Sequence, residues 1–164
     1  MGQHDDTVYL VDGSGYIFRA YYAIRALTSP SGIPVNAVYG FTAMLHKLLK
    51  ERQPRHLAIA FDTKEPTFRH KLFAAYKANR PSPPEDLIPQ FELIHRVVDA
   101  FGILRLVKAG FEADDLLGTV ARIAKASGQH VVIVTGDKDL MQLVDDKTVL
   151  LDEMRSQKGA SEEL

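Results

Sequence analysis

The chain alternates between short, unbroken apolar runs and longer stretches in which apolar residues recur every three or four positions. Five runs read as buried strands: residues 7–11 (TVYLV), 56–61 (HLAIAF), 103–107 (ILRLV), 130–135 (HVVIVT) and 148–151 (TVLL). The fourth is apolar almost throughout, as expected of a central parallel strand. Between them lie helical patterns. Residues 16–26 follow the first strand. In 37–52, with Asn36 as the expected cap, Val38, Phe41, Met44, Leu45, Leu48 and Leu49 form one face. The pattern over 85–102 tolerates Pro89 near its start and points Leu93, Val97, Val98 and Phe101 inward. In 116–126 the inward residues are Leu116, Leu117, Val120, Ile123 and Ala124, and Gly128 follows as the stop. A short helix is expected over 140–144. The order β-α-α-β-(insertion)-α-β-α-β-α-β predicts an α/β domain with a mainly parallel central sheet and helices on both faces. Tyr21, Tyr22 and Phe41 are expected in the core.

One stretch breaks the rhythm. Residues 63–84 carry Phe68-Arg69-His70-Lys71, then Ala75-Tyr76-Lys77-Ala78-Asn79-Arg80, then Pro81-Ser82-Pro83-Pro84. Apolar periodicity is weak here and basic and aromatic residues are interleaved. That composition suits a solvated excursion, or an element above the sheet edge that neutralises phosphates and stacks on bases.

Bulk properties bound the rest. A chain of 164 residues with 46% hydrophobic and 25% charged residues suits one compact domain, taken as 1–164. There is no cysteine, which removes disulfides, thiolate metal sites and cysteine nucleophiles and fits a cytoplasmic setting. No apolar run is long enough to span a membrane, and the polar, acidic start is unlike a signal peptide. A monomer is the expected state. The formal net charge of −1 hides a strong segregation. Asp12, Asp62, Glu112, Asp114, Asp115, Asp137 and Asp139 all follow predicted strands, and strand ends in a parallel sheet share one rim. Setting these seven charges aside leaves the rest of the chain at about +6.

The densest part of that cluster, Glu112-Ala113-Asp114-Asp115, opens a helix. Two carboxylates about 4 Å apart repel by on the order of 1 kcal/mol in water, and by more in a cleft. A helix N-terminus offsets part of this, and a divalent cation offsets more. Asp114 or Asp115 can equally be a helix cap, and Asp137-Lys138-Asp139 a capping turn. All-oxygen donors without cysteine favour Mg2+ or Mn2+ over zinc. Two such ions are suited to phosphodiester hydrolysis. The glycines of Asp12-Gly13-Ser14-Gly15 match neither phosphate-loop fingerprint. The six histidines are scattered without ligand spacing and receive no role.

Taken together, Val11-Asp12-Gly13, Arg19-Ala20-Tyr21-Tyr22-Ala23, Ala60-Phe61-Asp62, Tyr76-Lys77-Ala78-Asn79-Arg80, Glu112-Ala113-Asp114-Asp115 and Thr135-Gly136-Asp137-Lys138-Asp139-Leu140 resemble, in order, the 5′–3′ exonuclease (flap endonuclease) domain of bacterial DNA polymerase I. The resemblance runs from about residue 7 to 151. It implies a resolvase-like or PIN-like fold with a helical arch over residues 63–84, and metal-dependent cleavage of DNA at 5′ flaps and 5′ ends in replication and repair. By resemblance, Asp12, Asp62, Glu112 and Asp114 are ligands of a first ion, Asp137 and Asp139 of a second, with Asp115 close by. Lys77 and Arg80 are catalytic contacts to the scissile phosphate, Tyr76 stacks on the terminal base, and Arg19 meets another phosphate. Arg69 and Lys71 are further expected DNA contacts. The family's helix–hairpin–helix region, with its further aspartates, does not follow in this chain, so an N-terminal portion of a longer product, possibly joined to a polymerase domain, is expected. Two other readings stay open: a PIN-type ribonuclease on single-stranded RNA, and a non-catalytic DNA-binding fragment.

Overall fold

The structure is a computed structural model that describes residues 6–63, 67–75 and 82–153. Five strands form one sheet: β1 (Val8–Asp12), β2 (His56–Ala60), β3 (Leu104–Leu106), β4 (Val131–Val134) and β5 (Thr148–Leu151). Their order is β3-β2-β1-β4-β5, and every pairing is parallel. The expected sheet is therefore present, with β1 at its centre and β4 beside it. The apolar runs are short because these strands are buried on both faces, which removes the polar alternation of a half-exposed strand.

Helices α1 (Gly13–Ala23), α2 (Asn36–Arg52) and α4 (Ile88–Ala100) cover one face, where Tyr16, Ile17, Phe41, Leu45, Leu48 and Ile94 pack on Val11, Ile59 and Val134. On the other face α5 (Ala113–Ala126) and a 3₁₀ helix (Lys138–Leu143) set Leu117, Ala121, Ala124 and Leu140 against Leu10, Ala58 and Ile133. A short helix α3 (Phe68–Leu72) belongs to the insertion. The chain leaves β1 toward β2 and β3, then returns through α5 to the other side of β1. The strand order thus reverses between β1 and β4, and in open parallel sheets the crevice beyond the strand ends at such a point is where sites form.

Several expectations change. Asn36 is not the cap of α2 but its first residue, after Val35. The capping is done from a distance by buried Gln90, whose side-chain oxygen accepts the Ala37 and Val38 N–H groups at 2.8 and 3.1 Å. Asn36 instead ties α2 to α1, donating to the carbonyls of Tyr21 and Ile24 at 3.1 and 3.2 Å. Tyr22 is not core: it is 72% exposed. Phe101 and Ile123 are exposed as well: Phe101 follows the last residue of α4, and Ile123 falls at the edge of the apolar stripe of α5. Helix α4 starts at Ile88 with Pro89 in its first turn, later than the apolar pattern suggested. Gly128 does follow α5 in the left-handed region, at φ +82°. Among the described residues, no helix is long and apolar enough to cross a membrane.

Candidate active site

Asp12 ends the central strand and begins α1. Its carboxylate accepts the Gly15 N–H at 3.0 Å and the Thr135 hydroxyl at 3.0 Å, across from β4. Gly13 and Gly15 allow this abrupt turn. A methyl group at Gly13 would press on Phe61 and the Ala60 carbonyl, and one at Gly15 would collide with the Asp12 carboxylate. The glycines serve close packing at the strand end.

Asp62 leaves β2 two strands' width from β4. Its backbone N–H donates to the Ser14 hydroxyl at 2.8 Å, and its carboxylate accepts the Ala113 N–H at 2.6 Å. That bond satisfies one free N–H of the α5 N-terminus and draws α5 against the end of β2. Glu112 is the N-cap of α5, and Asp115 closes a reciprocal box by accepting the Glu112 N–H at 3.0 Å. Arg69, on α3, grips this corner: it meets Asp115 through two bonds of 2.8 Å and Glu112 at 3.0 Å. The Phe68 N–H, donating to the Gly110 carbonyl at 2.8 Å, and the packing of Phe68 on Phe111 hold α3 in place. After β4, Asp137 caps the 3₁₀ helix by accepting the Asp139 N–H at 2.9 Å, and its own N–H donates to Thr135.

One cleft gathers this machinery. It is lined by Asp12, Ser14, Gly15, Phe18, Asp62, Glu112, Asp114 and Asp137. Five of the seven carboxylates expected at the rim face it. Asp115 and Asp139 lie outside the lining, Asp115 tied to Arg69 and Asp139 exposed on the 3₁₀ helix. Ser14, Thr135 and Phe18 were missed by sequence reading. The first two stand beside the Asp12 and Asp137 motifs, and that adjacency was the available signal. Of the expected nucleic-acid contacts, Arg19 is half-buried and bonded to Asp152, Arg69 faces the acids, and Lys71 is exposed. Tyr76, Lys77 and Arg80 lie outside the described residues.

The electrostatics are those of an acidic cleft that Arg69 compensates at its Glu112 corner. Burial raises the Asp12 carboxyl above its ordinary value; the Gly15 and Thr135 hydrogen bonds oppose this, and Asp62 and Asp137 add to it. Asp114 is pushed up to about 6, first by loss of water in the cleft and then by repulsion from Asp12, Asp137, Asp62 and Glu112. The hard oxygen donors fit a divalent cation. As they stand, no group of three or more acidic or histidine side chains among the described residues is set to hold a metal ion. Closing such a group costs repulsion that an ion's own charge would offset.

The folded-state value of Asp114, about 6, lies above its ordinary 3.8, so ionising it opposes folding. That cost is absent below pH 3.8, grows as pH rises toward 6 and is complete above it. Asp114→Asn should therefore raise Tm in chelator near pH ~7.5, with the gain fading as the solution is acidified. A Tm lowered by this substitution at neutral pH would contradict the electrostatic account.

Comparison with known proteins gives the family and the fold. The family model of the 5′–3′ exonuclease N-terminal resolvase-like domain matches residues 7–163. DNA polymerase I of Rhizobium leguminosarum is 49% identical over 158 residues, covering 92% of this chain and 16% of that protein. The Pseudomonas aeruginosa enzyme is 50% identical over 145 residues, covering 88% of this chain and 16% of its own length. The thermostable DNA polymerase I of Thermus thermophilus is 46% identical over 144 residues, or 88% and 17%. The chain thus spans about a sixth of the curated relatives it matches. Among solved structures, bacteriophage T5 5′-exonuclease with bound zinc ions superposes with a TM-score of 0.66 at 23% identity, covering 88% of this chain and 54% of that one. The catalytic core of Rad2 in complex with a DNA substrate gives 0.58 at 21% identity, covering 96% and 47%. The solved structures establish a shared fold, and the family match establishes more: this chain belongs to the 5′–3′ exonuclease family, as its N-terminal resolvase-like domain.

Proposed function

We propose that this domain hydrolyses phosphodiester bonds of DNA at 5′ flaps and 5′ ends, using divalent cations, as part of a longer replication and repair protein related to DNA polymerase I. The observation that carries the reading is the convergence of Asp12, Asp62, Glu112, Asp114 and Asp137, from separate strand ends and the α5 N-terminus, on one cleft at the point where strand order reverses.

Asp12, Asp62, Glu112 and Asp114 would hold one ion, and Asp137 and Asp139 a second, with Asp115 close by. Mg2+ or Mn2+ suits these donors. Such ions supply the positive charge that activates water and stabilises the departing oxygen. The chain's own residues set the stage. Thr135 and the Gly15 N–H fix the Asp12 carboxylate, and the Ala113 N–H fixes that of Asp62. Arg69 neutralises part of the acidic corner. Lys77, Arg80 and Tyr76 are assigned to the substrate side, the first two steadying charge at the scissile phosphate and the third stacking on a terminal base. Lys71 adds a phosphate contact. No side chain acts as a covalent nucleophile.

The substrate class is tested by comparing cleavage of a 5′-flap duplex with cleavage of single-stranded RNA of the same length. Preference for the flap supports the proposal, and preference for the RNA replaces it with a PIN-type ribonuclease. Lys77→Ala should slow single-turnover cleavage about 10²-fold while sparing metal affinity. An unchanged rate would remove Lys77 from the site.

A further inference from the structure

Arg19 projects from α1 toward the end of β4, and the structure holds its guanidinium from three sides. Nη1 donates to the Asp152 carboxylate at 2.8 Å. The Tyr16 ring lies 5.8 Å from the guanidinium carbon. On the third side is Gly136, where any β-carbon would collide with Nη1. Asp152 is itself 3% exposed and pinned on both flanks. The Leu151 carbonyl accepts the Thr135 N–H at 2.9 Å, extending the β4–β5 ladder, and the Glu153 N–H donates to the Tyr16 hydroxyl at 3.1 Å. Gly136 stands between Thr135, which holds Asp12, and Asp137, which lines the cleft.

A buried aspartate bonded to an arginine is commonly a structural pair. Two features point further. The Arg19 side chain keeps 37% of its exposure, and Nη1 is the guanidinium nitrogen that Asp152 engages, which leaves Nη2 and Nε for another acceptor. An arginine that must order itself on binding loses side-chain freedom. One already seated by a rigid acid loses less, and an acidic cleft that repels a polyanion gains most from a cation fixed at its rim.

We infer that Asp152 and Gly136 form a seat that fixes Arg19 beside the carboxylate cleft to receive a backbone phosphate of the DNA, so that Asp152 is a positioning residue acting through Arg19. This rests on the nuclease reading above. The seat could not be read from the sequence, because Asp152 lies 133 positions from its partner.

A double-mutant cycle tests it, with Arg19→Ala, Asp152→Ala and the combination, on a labelled 5′-flap duplex. Binding is measured with Ca2+ across a salt series, and turnover with Mg2+. Asp152→Ala should weaken KM and Kd about 5-fold with kcat little changed, and Arg19→Ala about 10-fold. The double variant should match Arg19→Ala alone. Both single variants should flatten the salt dependence by about one phosphate contact, a readout that loss of packing does not move. Asp152→Asn, which keeps an acceptor, should recover most of the affinity, and it keeps the test open should the alanine variant fold poorly. Additive losses, or a lowered Tm with unchanged affinity and salt slope, would overturn the seat and leave a structural ion pair. A wild-type protein that neither binds nor cuts the flap would overturn the nuclease reading, and this inference with it.

Discussion

Asp62→Ala is expected to abolish flap cleavage, by about 10³-fold or more, in a chain that still folds. Asp62 joins the cleft from β2, and its carboxylate also binds the Ala113 N–H at 2.6 Å. Alanine removes both the charge and the bond. Loss of a helix N-terminal acceptor costs about 1 kcal/mol, which a domain with a core on both sheet faces tolerates. Loss of a carboxylate from the proposed cation site should not be tolerated, because it removes a charged donor that the ion would need. Asp62→Asn separates the two effects. Its amide oxygen can still accept from Ala113, so its Tm should match the wild type while cleavage stays lost. Activity near the wild-type level in either variant would take Asp62 out of the chemistry.

The second large effect concerns stability. Gln90→Ala should lower Tm by roughly 6–12 °C, from a loss of about 3 kcal/mol in a chain of this size. Gln90 is fully buried where α1, α2 and α4 meet. Its oxygen serves two N–H groups of α2, and its amide donates to the Asn36 side chain at 2.8 Å and the Asp86 carbonyl at 2.9 Å. Removing it strands buried donors and acceptors and opens a cavity at once. Asn36→Ala should cost a comparable amount. The double variant should lose less than the two added together, because one network is being broken twice. A shift within about 2 °C for Gln90→Ala would show that water or a rearranged neighbour replaces the network.

Gln90 also marks where sequence reading stops. The strands were legible because burial on both faces leaves unbroken apolar runs, and the parallel order followed from their alternation with helical stretches. The acidic rim was legible because Asp12 and Asp62 stand at strand ends, where a parallel sheet brings distant residues together. The polar network was not. A glutamine in the first turn of an amphipathic helix looks like any solvated side chain, and Asn36 looked like a cap because asparagine usually is one. The partition among the carboxylates was equally hidden. Glu112, Asp114 and Asp115 are near-neighbours in sequence, yet helical geometry turns Asp114 into the cleft and Asp115 toward Arg69. Tyr22 and Ile123 show the same limit: an apolar side chain at the margin of a helical stripe is buried or exposed according to how the helix rolls on the sheet.

Cleavage of a labelled 5′-flap duplex by this chain, with Mg2+ or Mn2+ and against a chelator control, decides whether the carboxylate cleft is a metal-dependent nuclease site. Cutting is expected near the flap junction, requiring the added metal and disappearing in Asp62→Asn. A folded protein that leaves the flap intact at every metal concentration, or cuts it equally well in chelator, would contradict it.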